Sequence, residues 1–100
     1  MIRHILFWNY TEEVKKNHKE KEVLVKIKES VKTLEMIDGL LCAEMEENFS
    51  EGYDLVFYTE FKDKDALEKF QDHPLHIAHK KRCKDLVCDR MCGDIEVKEQ

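Results

Sequence analysis

Two segments of the chain, residues 1–10 and 53–61, constrain the fold most strongly because their side chains alternate with a period of two. One face of the first segment carries Ile2, His4, Leu6 and Trp8. Its other face carries Arg3, Ile5, Phe7 and Asn9. Alternation rich in aromatic and β-branched residues predicts a β-strand in each segment. Since both segments are largely apolar on both faces, the sheet that they build needs a cover on each side.

The region between these two strands predicts a helix and a further strand. Apolar residues recur at three- and four-residue spacing, which is typical of an amphipathic helix with one buried stripe: Val23, Leu24, Ile27, Val31, Leu34 and Ile37. Asp38-Gly39 is expected to end this helix, because glycine readily takes the left-handed conformation that follows a helix. Residues 40–49 are expected to form the second strand.

A second helical region is expected to open at Asp63 or Asp65 and to be broken or kinked at His73-Pro74. Four later residues are expected to carry the helix onward: Ile77, Cys83, Leu86 and Val87. Residues 91–97 are predicted to form the last strand. The order β-α-β-β-α-β predicts an α+β, ferredoxin-like fold with a four-stranded antiparallel sheet and helices on one face.

The helices of such a fold cover only one face of the sheet. Four residues on the opposite face then lack a cover: Ile5, Phe7, Val56 and Tyr58. A second copy of the sheet is the simplest cover, so the sequence predicts a homodimer with a large apolar interface.

Length and charge limit the classes of function. A chain of 100 residues predicts a single domain over residues 1–100. The net charge of -5 argues against a nucleic-acid partner. No stretch approaches the roughly 20 apolar residues of a membrane span, and the N-terminus lacks a signal-peptide pattern, so we expect a cytoplasmic protein without a membrane partner. The four cysteines are then expected to be reduced.

The histidines are the strongest candidates for chemistry. His4 lies on the strand face of Leu6 and Trp8, and His76 follows the helix break at His73-Pro74. A pocket between sheet and helices is therefore predicted, lined by His4, Leu6, Trp8, Leu55, Phe57, Phe70 and His73. A buried neutral histidine can act as a general base, a role that falls here to His76. Alternatively, His4 or His76 hydrogen-bonds a backbone group and only holds the helix on the sheet.

A metal site is the second chemical hypothesis. His76, His79 and Cys83 share one helix face, with Cys88 and Cys92 following. Zinc sites usually combine two separated ligand pairs, and no second pair stands opposite this helix. The thiols are expected to be ordinary buried or half-buried packing residues. As a base and a nucleophile, His79 and Cys83 are neighbours on the helix, but they lie among lysines in a segment expected to face solvent. The sequence therefore predicts no metal and no cofactor.

Four segments together resemble the stress-responsive A/B barrel family, also called Dabb: MIRHILFW, GYDLVFYTEF, FQDHPLHIA and GDIEV. The resemblance implies a ferredoxin-like subunit whose sheet joins a second one in a dimeric α/β barrel. One plant enzyme of the family closes a linear polyketide through a Tyr-His pair. Here the histidine matches His76, whereas Phe70 replaces the tyrosine and Leu55 replaces a third-strand histidine.

These observations lead to one functional hypothesis and two alternatives. The first is a homodimer that binds a small hydrophobic molecule, with His4 and His76 as polar anchors. The second is a cofactor-free enzyme of cyclase, isomerase or decarboxylase type that uses His76 as base. The third is a structural dimer whose pocket is filled by Trp8, Phe57 and Phe70.

Overall fold

The structure, a computed structural model, describes residues 1–98. Its elements follow the order β1 (Ile2–Tyr10), α1 (Glu12–Lys16), α2 (Glu20–Lys32), β2 (Leu40–Glu47), β3 (Leu55–Phe61), α3 (Lys64–Gln71), α4 (Pro74–Cys83) and β4 (Val87–Glu96). The strands form one antiparallel sheet in the order β2-β3-β1-β4. The predicted ferredoxin-like arrangement is therefore confirmed, with the short helix α1 added to it.

The core lies between the sheet and the helices. The buried positions of β1 and β3 alternate as predicted, and Ile2 pairs with Phe61 while Trp8 pairs with Leu55. Helix α2 covers them with buried apolar residues at helical spacing: Val23, Ile27 and Val31. Burying a large apolar side chain contributes about 1.5–3 kcal/mol to folding, so this layer supplies most of the stabilisation.

The opposite face of the sheet carries apolar side chains without a helix above them. The outward residues of β1 and β3 are half-buried: Ile5, Phe7, Val56 and Tyr58. Strand β4 extends this surface with Met91 and Ile95, which are 46% and 51% exposed. We name this surface, formed by these six residues, the outer face.

Helix α2 is shorter than predicted, since it ends at Lys32 and not at Asp38. The backbone N–H of Thr33 donates to the carbonyl of Ser30, and that of Leu34 to Val31, so the chain tightens into turns. Leu34 and Ile37 remain buried, which explains why the apolar period continues past the helix.

Position 39 requires glycine for two reasons, its positive φ of 86° and the close approach of α3. A Cβ atom at Gly39 would lie 2.6 Å from the Cβ of Ala66, so any side chain here would force α3 away.

The remaining differences concern the ends of elements. Thr11 accepts a hydrogen bond from the Val14 N–H and so caps α1, a short helix that the sequence analysis did not predict. The second helical region opens at Asp63, whose carboxylate accepts from the Ala66 N–H at 2.8 Å.

The predicted break at His73-Pro74 is confirmed, because α3 ends at Gln71 and α4 begins at Pro74. Leu86 and Val87 do not continue the helix. Val87 instead pairs with Tyr10 and starts β4 earlier than residue 91, since hydrogen bonding to β1 overrides the local helical pattern. Within residues 1–98, none of the helices is long and apolar enough to cross a membrane.

Candidate functional site

Helix α4 presents polar, titratable side chains to the sheet. His73 caps its N-terminus, with the ring Nδ1 accepting from the Leu75 N–H at 3.1 Å, and Pro74 supplies the first turn. The buried residues of this helix are His76, His79 and Cys83. The expectation that His79 and Cys83 face solvent is wrong: they are 6% and 8% exposed.

A cavity of about 470 Å³ lies between α4 and the sheet, and we name it the α4 cavity. Its apolar wall is formed by Leu6, Trp8, Ile27, Met45, Phe57 and Val87. Its ring nitrogens come from His4, His76 and His79. Small-molecule sites are typically clefts of about 300–1,000 Å³ with mostly apolar walls and a few polar groups, and this cavity has that character.

The structure brings most of the predicted pocket residues together. The residues His4, Leu6, Trp8, Phe57 and His76 line the α4 cavity. Three others lie outside its lining: Leu55, Phe70 and His73. Leu55 is fully enclosed in the core and His73 caps α4, whereas Phe70 stacks on the far side of the His76 ring, with centroids 4.0 Å apart.

His76 is held in one orientation and one protonation form. Its Nδ1 donates to the Phe70 carbonyl oxygen at 3.1 Å, so Nε2 is the nitrogen left without the proton. Burial lowers the pKa of His76 from its ordinary value of 6.5, and the positive charge of Lys80 lowers it further. The imidazole is therefore neutral at pH 7 and can accept a proton from a molecule in the cavity.

His79 is the principal histidine that the sequence analysis misjudged. Arg82 Nε donates to Ser30 Oγ at 2.8 Å, which leaves the hydroxyl proton of Ser30 to donate to His79 Nδ1, also at 2.8 Å. Burial, followed by the nearby His76 and Arg82, lowers the pKa of His79 to about 4. The three-residue spacing from His76 was the available signal for its position, because it places both rings on one helix face.

His4 joins the cavity to the edge strand β4. Its Nδ1 hydrogen-bonds the Asp94 carboxylate across the β1–β4 pair, and Cys92 Sγ lies 3.6 Å from the same nitrogen. Because a carboxylate accepts, His4 Nδ1 carries the proton in this contact and the carboxylate fixes the orientation of the ring.

His4, Cys92 and Asp94 are also the one group of residues in the described part of the chain that could hold a metal ion. Their ligand atoms lie within 4.8 Å of one another. Nitrogen, sulfur and oxygen ligands suit Zn²⁺, but three ligands leave the tetrahedron open. The hydrogen bond between His4 and Asp94 already accounts for their proximity. His76, His79 and Cys83, the trio whose spacing raised the metal hypothesis, do not form such a group.

The mouth of the α4 cavity carries positive charge. Three exposed cationic residues line it: Lys80, Lys84 and Arg90. Within residues 1–98, no Asp or Glu is among the residues that line this cavity. Apolar walls, neutral histidines and a cationic rim together can hold and orient a small organic molecule.

Comparison with known proteins places the chain in a family. The model of the stress responsive A/B barrel domain matches residues 2–97. A dimeric protein of unknown function with a ferredoxin-like fold from Bacteroides fragilis is 25% identical, covers 96% of this chain and 95% of its own, and superimposes with a TM-score of 0.80. A Dabb family protein from Mesorhizobium loti is 28% identical over 98% of this chain and 97% of its own, with a TM-score of 0.76.

A protein from Arabidopsis thaliana is 17% identical, covers 100% of this chain and 98% of its own, and has a TM-score of 0.77; at that identity it supports the fold alone. Among curated proteins, none matches the chain. Since the family model spans nearly the whole sequence, the chain belongs to the stress responsive A/B barrel domain family.

Proposed function

We propose that this protein binds a small hydrophobic molecule in the α4 cavity, as a homodimer. The observation that carries the proposal is a space of about 470 Å³ with a largely apolar wall, into which the lining places the buried histidines His4, His76 and His79. A molecule that fills apolar space gains dispersion contacts with the side chains of the wall.

The homodimer is supported by the outer face. Phe7 packs against Tyr53 at a centroid distance of 5.6 Å, and the neighbouring Met91 and Ile95 stay about half exposed. An apolar sheet face of this kind is stabilised when a second sheet packs on it, and the 25%-identical relative from Bacteroides fragilis is described as dimeric. A cytoplasmic location remains a prediction from the sequence.

A purely structural dimer is the less favoured alternative. It requires Trp8, Phe57 and Phe70 to fill the space beneath α4. Trp8 and Phe57 instead line an open volume, and Phe70 lies behind the ring of His76.

The binding proposal is tested with phenylnaphthylamine, a neutral dye that fluoresces in apolar sites. Trp8 is the single tryptophan of the chain and lines the cavity, so energy transfer from Trp8 to the dye reports occupancy. Cys83→Phe should fill the space and weaken binding at least tenfold, a loss of about 1.4 kcal/mol. Cys83→Ala should preserve binding. If both variants bind the dye as the wild type does, the α4 cavity is not the site.

A second candidate function, general-base catalysis, is favoured by the hydrogen bond that fixes the His76 tautomer. A neutral imidazole with Nε2 available beside a bound carbonyl compound could remove a proton from the adjacent carbon, the step that starts aldol-type cyclisation and enolisation in isomerases. In a decarboxylase the same ring, once protonated, would instead return a proton to the carbon from which CO2 has left.

Catalysis is tested by proton exchange, which requires no knowledge of the substrate. The protein should accelerate deuterium incorporation into acetylacetone in heavy water, and His76→Gln should lower that acceleration by about 10²-fold. His18→Asn, a change at an exposed histidine, serves as the control. Equal rates for the wild type and His76→Gln would rule out His76 as the base.

A further inference from the structure

The cationic mouth of the α4 cavity is unusual for an acidic chain with a net charge of -5. Lys80, Lys84 and Arg90 are the exposed cationic residues of its lining, and no described Asp or Glu lines it. None of the three forms an ion pair with a residue in the described part of the chain. Positive charge at this opening is therefore available to a ligand.

Arg90 reaches the cavity because β4 contains a bulge. Phe7 pairs with Met91 whereas Asn9 pairs with Cys88, so β4 has one extra residue opposite Trp8. The extra residue is accommodated by Asp89, which has a positive φ of 57° and accepts a hydrogen bond from the Asn9 side chain at 3.1 Å.

The side-chain alternation of β4 is reset by this bulge, with the result that Arg90 lies on the helix-facing side beside Trp8. Bulges frequently re-aim a side chain next to a functional site. A left-handed backbone at a non-glycine residue is uncommon, which makes this placement a specific feature of β4.

The helix dipole offers a simpler reason for part of this charge. Cations near a helix C-terminus stabilise it, and α4 ends in Lys80, Lys81 and Arg82. That reason applies equally to Lys81, which does not line the cavity, and it does not apply to Arg90, which lies on a strand. Arg82 is moreover engaged with Ser30.

We propose that the mouth of the α4 cavity binds the negatively charged head group of an organic acid whose apolar body occupies the cavity. The inference rests on the proposed binding function and adds the chemical class of the ligand. The planar guanidinium of Arg90 can hold two oxygens of a carboxylate or sulfonate, and the two lysines add charge without strict geometry. The histidines then face the body of the ligand next to its head group.

Two dyes with the same aromatic skeleton test the charge directly. Anilinonaphthalene sulfonate carries one sulfonate, and phenylnaphthylamine lacks it. Binding of each is measured by energy transfer from Trp8, which lies in the cavity wall. We expect the sulfonate dye to bind the wild type roughly tenfold more tightly than the neutral dye, since charge-assisted contacts are worth about 1.5–3 kcal/mol and tenfold in affinity is about 1.4 kcal/mol.

Charge-reversed variants then locate the effect. Arg90→Glu and Lys84→Glu should each weaken the sulfonate dye roughly tenfold or more and change the neutral dye by less than about twofold. Arg90→Gln, which keeps the strand neutral, should show a smaller loss and guards against misfolding of Arg90→Glu. Lys81→Glu is the matched control, with the same charge change on the same helix end but outside the lining.

The outcomes separate this inference from the proposed function. If both dyes bind with equal affinity, or if Lys81→Glu weakens the sulfonate dye as much as Arg90→Glu, the anionic class is wrong while the binding function stands. If neither dye binds, the proposed function is wrong and the inference falls with it.

Discussion

Helices α3 and α4 lie on the same sheet and are separated by one break at His73-Pro74, yet they bury different chemistry. Helix α3 buries Ala66 and Phe70, and the Phe70 ring packs edge-on against Phe61 at 4.8 Å. Helix α4 buries two histidines and a cysteine and leaves a cavity. A helix selected only for stability would bury aliphatic residues against the sheet. The histidines that α4 buries therefore indicate that its inward residues serve more than packing.

The largest expected effect comes from two phenylalanines of β3 that share one face. Phe61 is fully enclosed, whereas Phe57 borders the α4 cavity. Phe61→Ala should lower the free energy of unfolding by about 3–5 kcal/mol. Phe57→Ala should cost less, about 2–3 kcal/mol, because part of its surface already lacks contacts. Urea denaturation measures both, and equal losses would mean that the space beneath α4 is closed in solution.

The outer face supplies the next largest effect. Phe7→Asp places a charge in the proposed interface, and an unpaired buried charge costs several kcal/mol. We expect analytical ultracentrifugation to find monomers of Phe7→Asp at concentrations where the wild type is dimeric. Val25→Asp, at a residue of α2 that is 56% exposed, should leave the dimer intact. A Phe7→Asp particle of unchanged size and stability would contradict the homodimer.

The buried histidine His79 predicts a loss of stability in acid. Its folded-state pKa of about 4 lies below the ordinary 6.5, so the unfolded chain binds the proton more readily in that window. The contribution of neutral His79 to the free energy of unfolding should be fully present above pH 6.5 and should be lost as the pH falls towards 4. The loss should be at most about 3 kcal/mol, since one pKa unit corresponds to about 1.4 kcal/mol. His79→Gln should flatten this part of the profile of urea midpoints.

The control for this profile is His18→Asn, since His18 is exposed and asparagine tolerates its positive φ of 54°. An identical pH profile for His79→Gln and the wild type would show that His79 does not carry the acid sensitivity.

The smallest expected effect concerns the partner of His4. Asp94→Asn removes the charge that accepts from His4 Nδ1 and should cost about 1 kcal/mol in thermal unfolding, because the Asp94 side chain is 49% exposed. Cys92→Ser should cost less. If Asp94→Asn instead unfolds at the same temperature as the wild type, the pair is not formed in solution.

The sequence predicted the buried side of a strand or helix wherever apolar residues repeat at one constant spacing along that element. The alternation of β1 and β3 predicted both the core and the outer face, and the apolar stripe of α2 predicted its buried side. Helix α4 could not be treated in this way, because two of its three buried positions are histidines, a type found about as often near the surface as inside, and its apolar Ile77 is 39% exposed.

Long-range pairing was the second limit of sequence reasoning. The contact between His4 and Asp94 spans 90 residues, and the bulge at Asp89 depends on the register with β1. Phe70 and Leu55 lie on the predicted faces of their elements but do not line the cavity. The repeat of apolar residues shows which way a side chain points, and it does not show whether another side chain lies between it and the cavity.

The most direct test of the account is NMR mapping of a bound neutral molecule. Titration with phenylnaphthylamine should shift amide signals of residues that border the α4 cavity, Leu6, Phe57 and His76 among them, and leave the signal of Ala66 in α3 unmoved. Shifts confined to the outer face, or none at saturating dye, would contradict the claim that the space beneath α4 is a ligand site.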